Sequence, residues 1–142
     1  QYGLDVKLQP CEFLGKNVWM RGIVDVLTPS GEGFTVADID DHKTGKNRKK
    51  DMQQLIIFAL LTFYHHPSVN TCHCTYHWVG LGFAKDTETF YRHQIPELLA
   101  TLIPKLQRYK QYFDIGIFPA KPSGLCPWCP VTDCAHWREK RR

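Results

Sequence analysis

Two extended runs with alternating apolar and polar residues stand out in the first third of the chain. Residues 18–27 and 34–39 are rich in β-formers, and the intervening Thr-Pro-Ser-Gly at 28–31 is typical of a turn. These features predict a β-hairpin. Because side chains alternate across a strand, Asp41 and Lys43 are expected on one face of the second strand, with Asp40 and His42 on the other.

The pattern then becomes helical. From residue 48 to about residue 64, apolar side chains recur at steps of three and four residues, and His65-His66-Pro67 ends the run. A second helix is predicted from Ile95 towards residue 113, because Pro96 suits a first turn; we expect a kink at Pro104.

Between these two helices, residues 71–82 and 89–92 are predicted to be strands joined by a turn at 85–87. The order of elements predicts an α/β or α+β fold in which helices flank a mixed central sheet. We expect a single domain over residues 1–142, ending in a Cys-rich segment at 119–142.

The predicted strands carry residues suited to metal-dependent hydrolysis of a phosphodiester. Mg²⁺ and Mn²⁺ prefer oxygen ligands, which Asp25 and Asp41 supply as carboxylates and His42 as a backbone carbonyl. Lys43 is placed to orient the attacking water or to stabilise charge that develops at phosphorus. The alternative for so short a pattern is a surface ion pair.

Composition and charge narrow the possible partners. The chain has 142 residues, 43% of them hydrophobic, which is enough for one domain with a core, and no apolar run reaches membrane-spanning length. The net charge is +4, and basic residues cluster near the predicted site and at the C-terminus: Lys46, Arg48, Lys49 and Lys50, then Arg138, Lys140, Arg141 and Arg142. Such clusters suit DNA, although solvated surface positions explain them equally well.

Six cysteines occur without a secretory segment, which predicts an intracellular protein with reduced or metal-bound thiols. Cys72 and Cys74 alternate along a predicted strand and are expected in the core. Cys126, Cys129 and Cys134 have metal-ligand spacing, so zinc, completed by His136, is one possibility and purely structural thiols are another.

Three motifs together resemble the RecB-type branch of the PD-(D/E)XK nuclease superfamily: Gly22-Ile23-Val24-Asp25, Asp41-His42-Lys43-Thr44-Gly45-Lys46 and Gln54-Leu55-Ile56-Ile57-Phe58-Ala59. The run from Pro122 to Pro130 is also similar to the tail of phage-encoded and CRISPR-associated members. The match covers about the central third of the chain, and its order and spacing are more specific than any one motif.

The resemblance implies a restriction-endonuclease-like core and a Mg²⁺- or Mn²⁺-dependent DNA exonuclease in phage or bacterial recombination, repair or replication. Asp25 and Asp41 would be metal ligands, Lys43 the catalytic lysine, and Gln54 the residue that positions substrate or water. It also implies that Cys126, Cys129 and Cys134 hold a [4Fe–4S] cluster with one upstream cysteine, for which Cys11 is the candidate.

The sequence departs from the family's pattern at two points. Phe58 stands where the family has a tyrosine, so the hydroxyl is lost. Residues 1–24, where the family usually has a histidine or glutamate ligand, contain no histidine and only one glutamate, Glu12. Since the chain starts at Gln1 without methionine, we expect an N-terminal helical part to be missing. The alternative function is a non-catalytic DNA-binding or assembly module with a zinc-bound cysteine tail.

Overall fold

The structure is a computed structural model that describes residues 1–46 and 48–137. The chain divides into two compact units, one formed by residues 1–104 and the other beginning at Lys105. Helices and two β-sheets build a mixed α and β fold, which confirms the predicted fold class.

The first unit contains both sheets. An antiparallel three-stranded sheet has the order β2-β1-β3 and is formed by Tyr2–Asp5 (β1), Pro10–Cys11 (β2) and Val18–Gly22 (β3). A mixed four-stranded sheet has the order β4-β5-β6-β7 and is formed by Val26–Ser30, Val36–Lys43, Thr71–Trp78 and Ala84–Tyr91. The first of these sheets was not predicted from the sequence.

The first helix, α1, connects the two central strands of the mixed sheet. It spans Met52–His65, after β5 and before β6, and these two strands pair in parallel. A parallel pair cannot be joined by a tight turn, so the chain crosses back through the helix. The second helix, α2, spans Ile95–Ile115, longer than predicted, and contains Pro104 within it.

The two faces of the mixed sheet differ in burial. The inner face carries alternate side chains of β5 and β6 that are almost all buried: Ala37, Ile39, Asp41, Cys72, Cys74, Tyr76 and Trp78. Contacts of Cys74 and Tyr76 with the backbone of α1 show that the helix lies on this side. The outer face carries Asp38, Asp40 and His42, which are half-buried or exposed.

Cys72 and Cys74 lie on the inner face, as predicted. Burial raises the pKa of the Cys72 thiol to about 12 and that of Cys74 further still. Both thiols are therefore neutral core side chains rather than reactive groups.

The predicted hairpin is partly wrong. Residues 18–27 do not form one strand, because the chain bends at residues 23–25 and its halves, β3 and β4, join different sheets. The predicted turn residues Thr28, Pro29 and Ser30 lie within β4 instead. Pro29 is tolerated there because β4 is an edge strand and needs no hydrogen-bond donor on its open side. The antiparallel pairing of β4 with β5 is as predicted.

The second predicted turn is also wrong. Residues 85–87 lie inside β7, and the chain reverses instead at Gly82 and Phe83, both with positive φ, after a single 3-10 turn at Val79–Leu81. Polar residues in β7 are accommodated by partners: Asp86 binds Arg48 and the Trp78 indole. Polarity at these positions therefore marks ion pairs on an edge strand, not a loop.

The second unit has a different character from the first. It comprises the last turns of α2 and an irregular segment with one 3-10 turn, Cys126–Trp128, in agreement with the loop predicted there. No residue from 105 to 137 is buried. Across the described ranges, neither helix has the length and apolar character needed to cross a membrane.

Candidate active site

Asp25 lies in the bend between β3 and β4. The antiparallel register pairs Val26 with Asp40, so Asp25 falls at the position opposite Asp41, just beyond the last paired residue. Its carboxylate Oδ2 accepts a hydrogen bond from the backbone N–H of His42 at 3.1 Å. The break in the predicted strand thus leaves Asp25 beside the end of β5.

Asp41 and Lys43 share the inner face of β5, as the alternation predicts. The Lys43 Nζ lies 2.6 Å from Asp41 Oδ2 in an ion pair. Asp41 is only 5% exposed, and its Oδ2 makes no hydrogen bond of regular geometry. One oxygen of a buried carboxylate is therefore held by charge alone, with unused capacity to accept a ligand.

Gln54 is brought to this pair by the start of α1. The predicted start at residue 48 is wrong, because Asp51 is the N-cap and accepts hydrogen bonds from the backbone N–H groups of Gln53 and Gln54. The cap places Gln54 in the first turn, where its Nε2 donates to Asp41 Oδ1 at 3.3 Å and its Oε1 accepts from Lys43 Nζ at 3.1 Å.

Tyr76 joins the network from β6 and was missed by the sequence reasoning. Its hydroxyl is 2.9 Å from Gln54 Oε1 and 3.0 Å from the Asp51 carbonyl oxygen, and its one proton can go to either acceptor. Burial, reinforced by the Asp41 and Asp51 carboxylates, raises the pKa of Tyr76, so the hydroxyl stays protonated and donates. The Lys43 ammonium lies 5.0 Å from the centre of its ring.

Alternation had already placed Tyr76 on the same side as Cys72 and Cys74. What the sequence lacked was the parallel register, which pairs Tyr76 with Asp41.

A groove runs beside Gln54 and opens to solvent. It is lined by residues of β3, the following bend and the first half of α1: Arg21, Gly22, Ile23, Asp51, Gln53, Gln54, Ile57 and Phe58. At Gly22 a Cβ atom would lie 2.7 Å from Leu61 Cδ1, so the space that glycine leaves is filled by α1. The close approach of strand and helix requires glycine at this position.

Two of the four predicted DNA-binding residues, Arg48 and Lys50, form ion pairs with side chains of β7. Arg48 binds Asp86 through two hydrogen bonds, at 2.6 and 2.9 Å, and Lys50 binds Glu88 at 2.5 Å. Hydrogen bonding and charge attraction from Asp86 raise the pKa of Arg48. Lys46 and Lys49 are exposed. The basic residues Arg138, Lys140, Arg141 and Arg142 lie outside the described residues.

None of the three C-terminal cysteines is fully buried. Cys129 and Cys134 are exposed and Cys126 is half-buried, with its Sγ accepting a hydrogen bond from the Ser123 N–H at 3.2 Å. Among the residues described, no group of three His, Cys, Asp or Glu side chains is arranged to hold a metal ion.

No protein-family model matches the chain, and a search of curated proteins found no significant relative.

Proposed function

We propose that the chain is a Mg²⁺- or Mn²⁺-dependent DNA nuclease of the PD-(D/E)XK superfamily, RecB-type branch, acting as an exonuclease inside a bacterium or a phage-infected host. The observation that carries the proposal is the convergence of Asp41, Lys43 and Gln54 in one hydrogen-bonded and ionic group at the end of β5, with Asp25 alongside. The glutamine that the resemblance identifies is the side chain that contacts both residues of the D-x-K pattern.

The donor set fits a hard divalent cation. The buried Asp41 Oδ2 lacks a regular hydrogen bond, and Asp25 and the His42 carbonyl would add further oxygens. When bound, such an ion lowers the pKa of a water ligand and neutralises charge on the phosphate. Asp25, Asp41 and the His42 carbonyl are the groups that would hold it.

The remaining residues have separate tasks in this proposal. Lys43 stabilises the negative charge that develops on the phosphate, and it is restrained by Asp41 and Gln54. Gln54 links the lysine to the aspartate, and the Tyr76 hydroxyl favours this orientation of the amide when it donates to Oε1. In this proposal, the hydroxyl of Tyr76 on β6 takes the place of the one that is lost at Phe58 on α1.

The test is degradation of linear DNA by the purified chain with Mg²⁺ or Mn²⁺, compared with the same reaction in EDTA. Asp41→Ala and Lys43→Ala should each lower the rate by a factor of about 1,000 or more, since each removes a group that acts at the reacting phosphate. The matched control is Asp40→Ala, which deletes the neighbouring carboxylate on the outer face of the same strand.

The control variant should retain the wild-type rate once its folding has been verified by thermal melting. Undiminished cleavage by folded Asp41→Ala or Lys43→Ala would reject the proposed site. Equal losses in Asp40→Ala and Asp41→Ala would mean that the strand matters only for stability.

The iron–sulfur cluster predicted for Cys126, Cys129 and Cys134 stays a prediction, and no step of the mechanism depends on it. Metal analysis and an absorbance spectrum of the purified protein test it directly. Iron with a brown chromophore would support the cluster, and one zinc per chain would support the assembly module.

A further inference from the structure

Positive charge is concentrated in the second unit. Residues 105–142 contain eight Lys and Arg against three Asp and Glu, whereas residues 1–104 contain ten against eleven. The whole excess charge of the protein therefore belongs to its last 38 residues. Such a segment attracts polyanions irrespective of the chemistry at Asp41.

The same unit exposes large aromatic side chains. Tyr109 is 67% exposed, Phe113 77% and Phe118 62%. Isolated apolar residues at a surface are ordinary, but several exposed aromatic rings in a unit that has no buried residue between 105 and 137 make this surface a candidate for binding.

One cation and several rings lie on one side of the end of α2. Arg108 and Tyr112 are four residues apart, as are Tyr109 and Phe113, and Tyr109 and Tyr112 are three apart, so these pairs are neighbours on the helix surface. Tyr112 contacts Phe118 edge to face, at 6.5 Å between ring centres, so the chain beyond the helix adds another ring to this face. We call this set the aromatic stripe.

Neighbouring carboxylates do not neutralise the positive charge of the stripe. Asp114 is the only carboxylate in the described part of α2 beyond residue 104, and Lys110, one turn before it, neutralises it at 2.6 Å. Arg108 has no carboxylate partner among the described residues. Its charge is therefore available to a phosphate.

We propose that the aromatic stripe of α2 binds single-stranded DNA by stacking unpaired bases on Tyr109 and Phe113 while Arg108 contacts the phosphate backbone. Stacking on exposed rings accepts any base, and a cation beside the rings can contact the phosphate chain. A duplex buries its bases and cannot use the rings. Arg108 adds a cation beside these rings that has no carboxylate partner in the part of the chain that the structure describes, and the sequence of the same unit carries the protein's excess positive charge, which favours a polyanion over a protein partner.

This inference rests on the nuclease proposal and adds that its DNA is single-stranded. Binding to the stripe needs no metal, so it can be measured apart from cleavage. The experiment is fluorescence anisotropy with a labelled oligothymidylate of about 20 nucleotides, and with a duplex of the same length, in EDTA. The full chain should prefer the single strand. Tyr109→Ala and Phe113→Ala should each weaken single-strand binding about tenfold, and Arg108→Ala should reduce the slope of log affinity against log salt by about one.

The matched control is Phe83→Ala, which removes an equally exposed ring from the turn before β7 and should leave affinity unchanged. Equal affinity of wild type and Tyr109→Ala/Phe113→Ala would overturn the proposal, as would equal affinity for duplex. If sedimentation shows that the same substitutions abolish self-association without altering DNA affinity, the stripe is an interface between copies.

Measuring binding in EDTA separates this proposal from the nuclease proposal, because cleavage requires the metal and binding to the stripe does not. If wild type binds but does not cleave, only the nuclease proposal fails. If wild type cleaves and the stripe variants bind normally, only the stripe fails.

Discussion

Asp40 and Asp41 are neighbours on one strand, yet the sheet gives them opposite environments. On the outer face, Asp40 reaches water and pairs with His77 at 2.5 Å, and His77 in turn stacks on His42. On the inner face, Asp41 is buried against Gln54 and Lys43 and keeps one oxygen without a regular hydrogen bond. Identical side chains thus differ in what they can still bind.

The difference comes from α1, which covers only the inner face. A carboxylate at the surface is solvated and its ion pairs are weak, whereas a buried carboxylate must find partners or bind a cation. Burial with incomplete satisfaction, rather than acidity alone, singles out Asp41 as the candidate ligand.

The largest expected effect is a loss of stability caused by crowding between α1, which covers the inner face, and β3. Gly22→Ala places a Cβ atom 2.7 Å from Leu61 Cδ1, and Leu61 is fully buried with Phe58 also close by, so the leucine has little room to move. We expect a loss of about 1–3 kcal/mol in the free energy of unfolding, measured by urea denaturation.

Gly45→Ala is the control for this substitution. No atom lies within 4 Å of its Cβ position, and its backbone does not have positive φ. The control should be neutral or stabilise by a few tenths of a kcal/mol, about the gain from a less flexible unfolded chain. A Gly22→Ala protein as stable as Gly45→Ala would show that α1 does not press on β3.

Sequence alone predicted which side chains share a face of β5 better than it predicted strand boundaries. Alternation depends only on the geometry of a strand, so Asp41 and Lys43 were assigned correctly to one face. The bend at residues 23–25 separates two sheets, and nothing local distinguishes it from continuous β-forming sequence.

Polar residues misled the prediction on β7, because Asp86 and Glu88 find their cationic partners nearly forty residues earlier in the chain. The contribution of Tyr76 likewise required a parallel register that no local pattern encodes. In both cases the missing information was a contact between residues distant in sequence.

Deleting one hydroxyl from each face of the mixed sheet should have smaller effects on stability and cleavage rate. Tyr76→Phe removes the donor to Gln54 Oε1 and should cost about 1 kcal/mol in stability, and about a tenfold loss of cleavage rate as the glutamine loses its fixed orientation. Thr75→Val is the counterpart on the outer face, where the Thr75 hydroxyl pairs with that of Thr87. It should leave cleavage unchanged.

A double-mutant cycle then separates positioning from mere stability. If Tyr76 acts through Gln54, adding Tyr76→Phe to Gln54→Ala should produce no further loss of rate. Additive losses would instead mean that the tyrosine works independently of the glutamine.

The smallest effect concerns Asp86, which lies level with Asp41 and Tyr76 across the sheet but is fully satisfied. Hydrogen bonds from Arg48 and Trp78 hold the pKa of Asp86 at about 2, against an ordinary 3.8. Because the folded-state pKa is lowered, the stabilisation by Asp86 is complete above pH 3.8 and is lost as pH falls towards 2. The difference in melting temperature between wild type and Asp86→Asn should therefore be constant near neutral pH and shrink on acidification. A difference in melting temperature that stays constant or grows in acid would mean that Arg48 does not keep Asp86 ionised. The hydrogen bonds to its oxygens would then no longer distinguish Asp86 from Asp41.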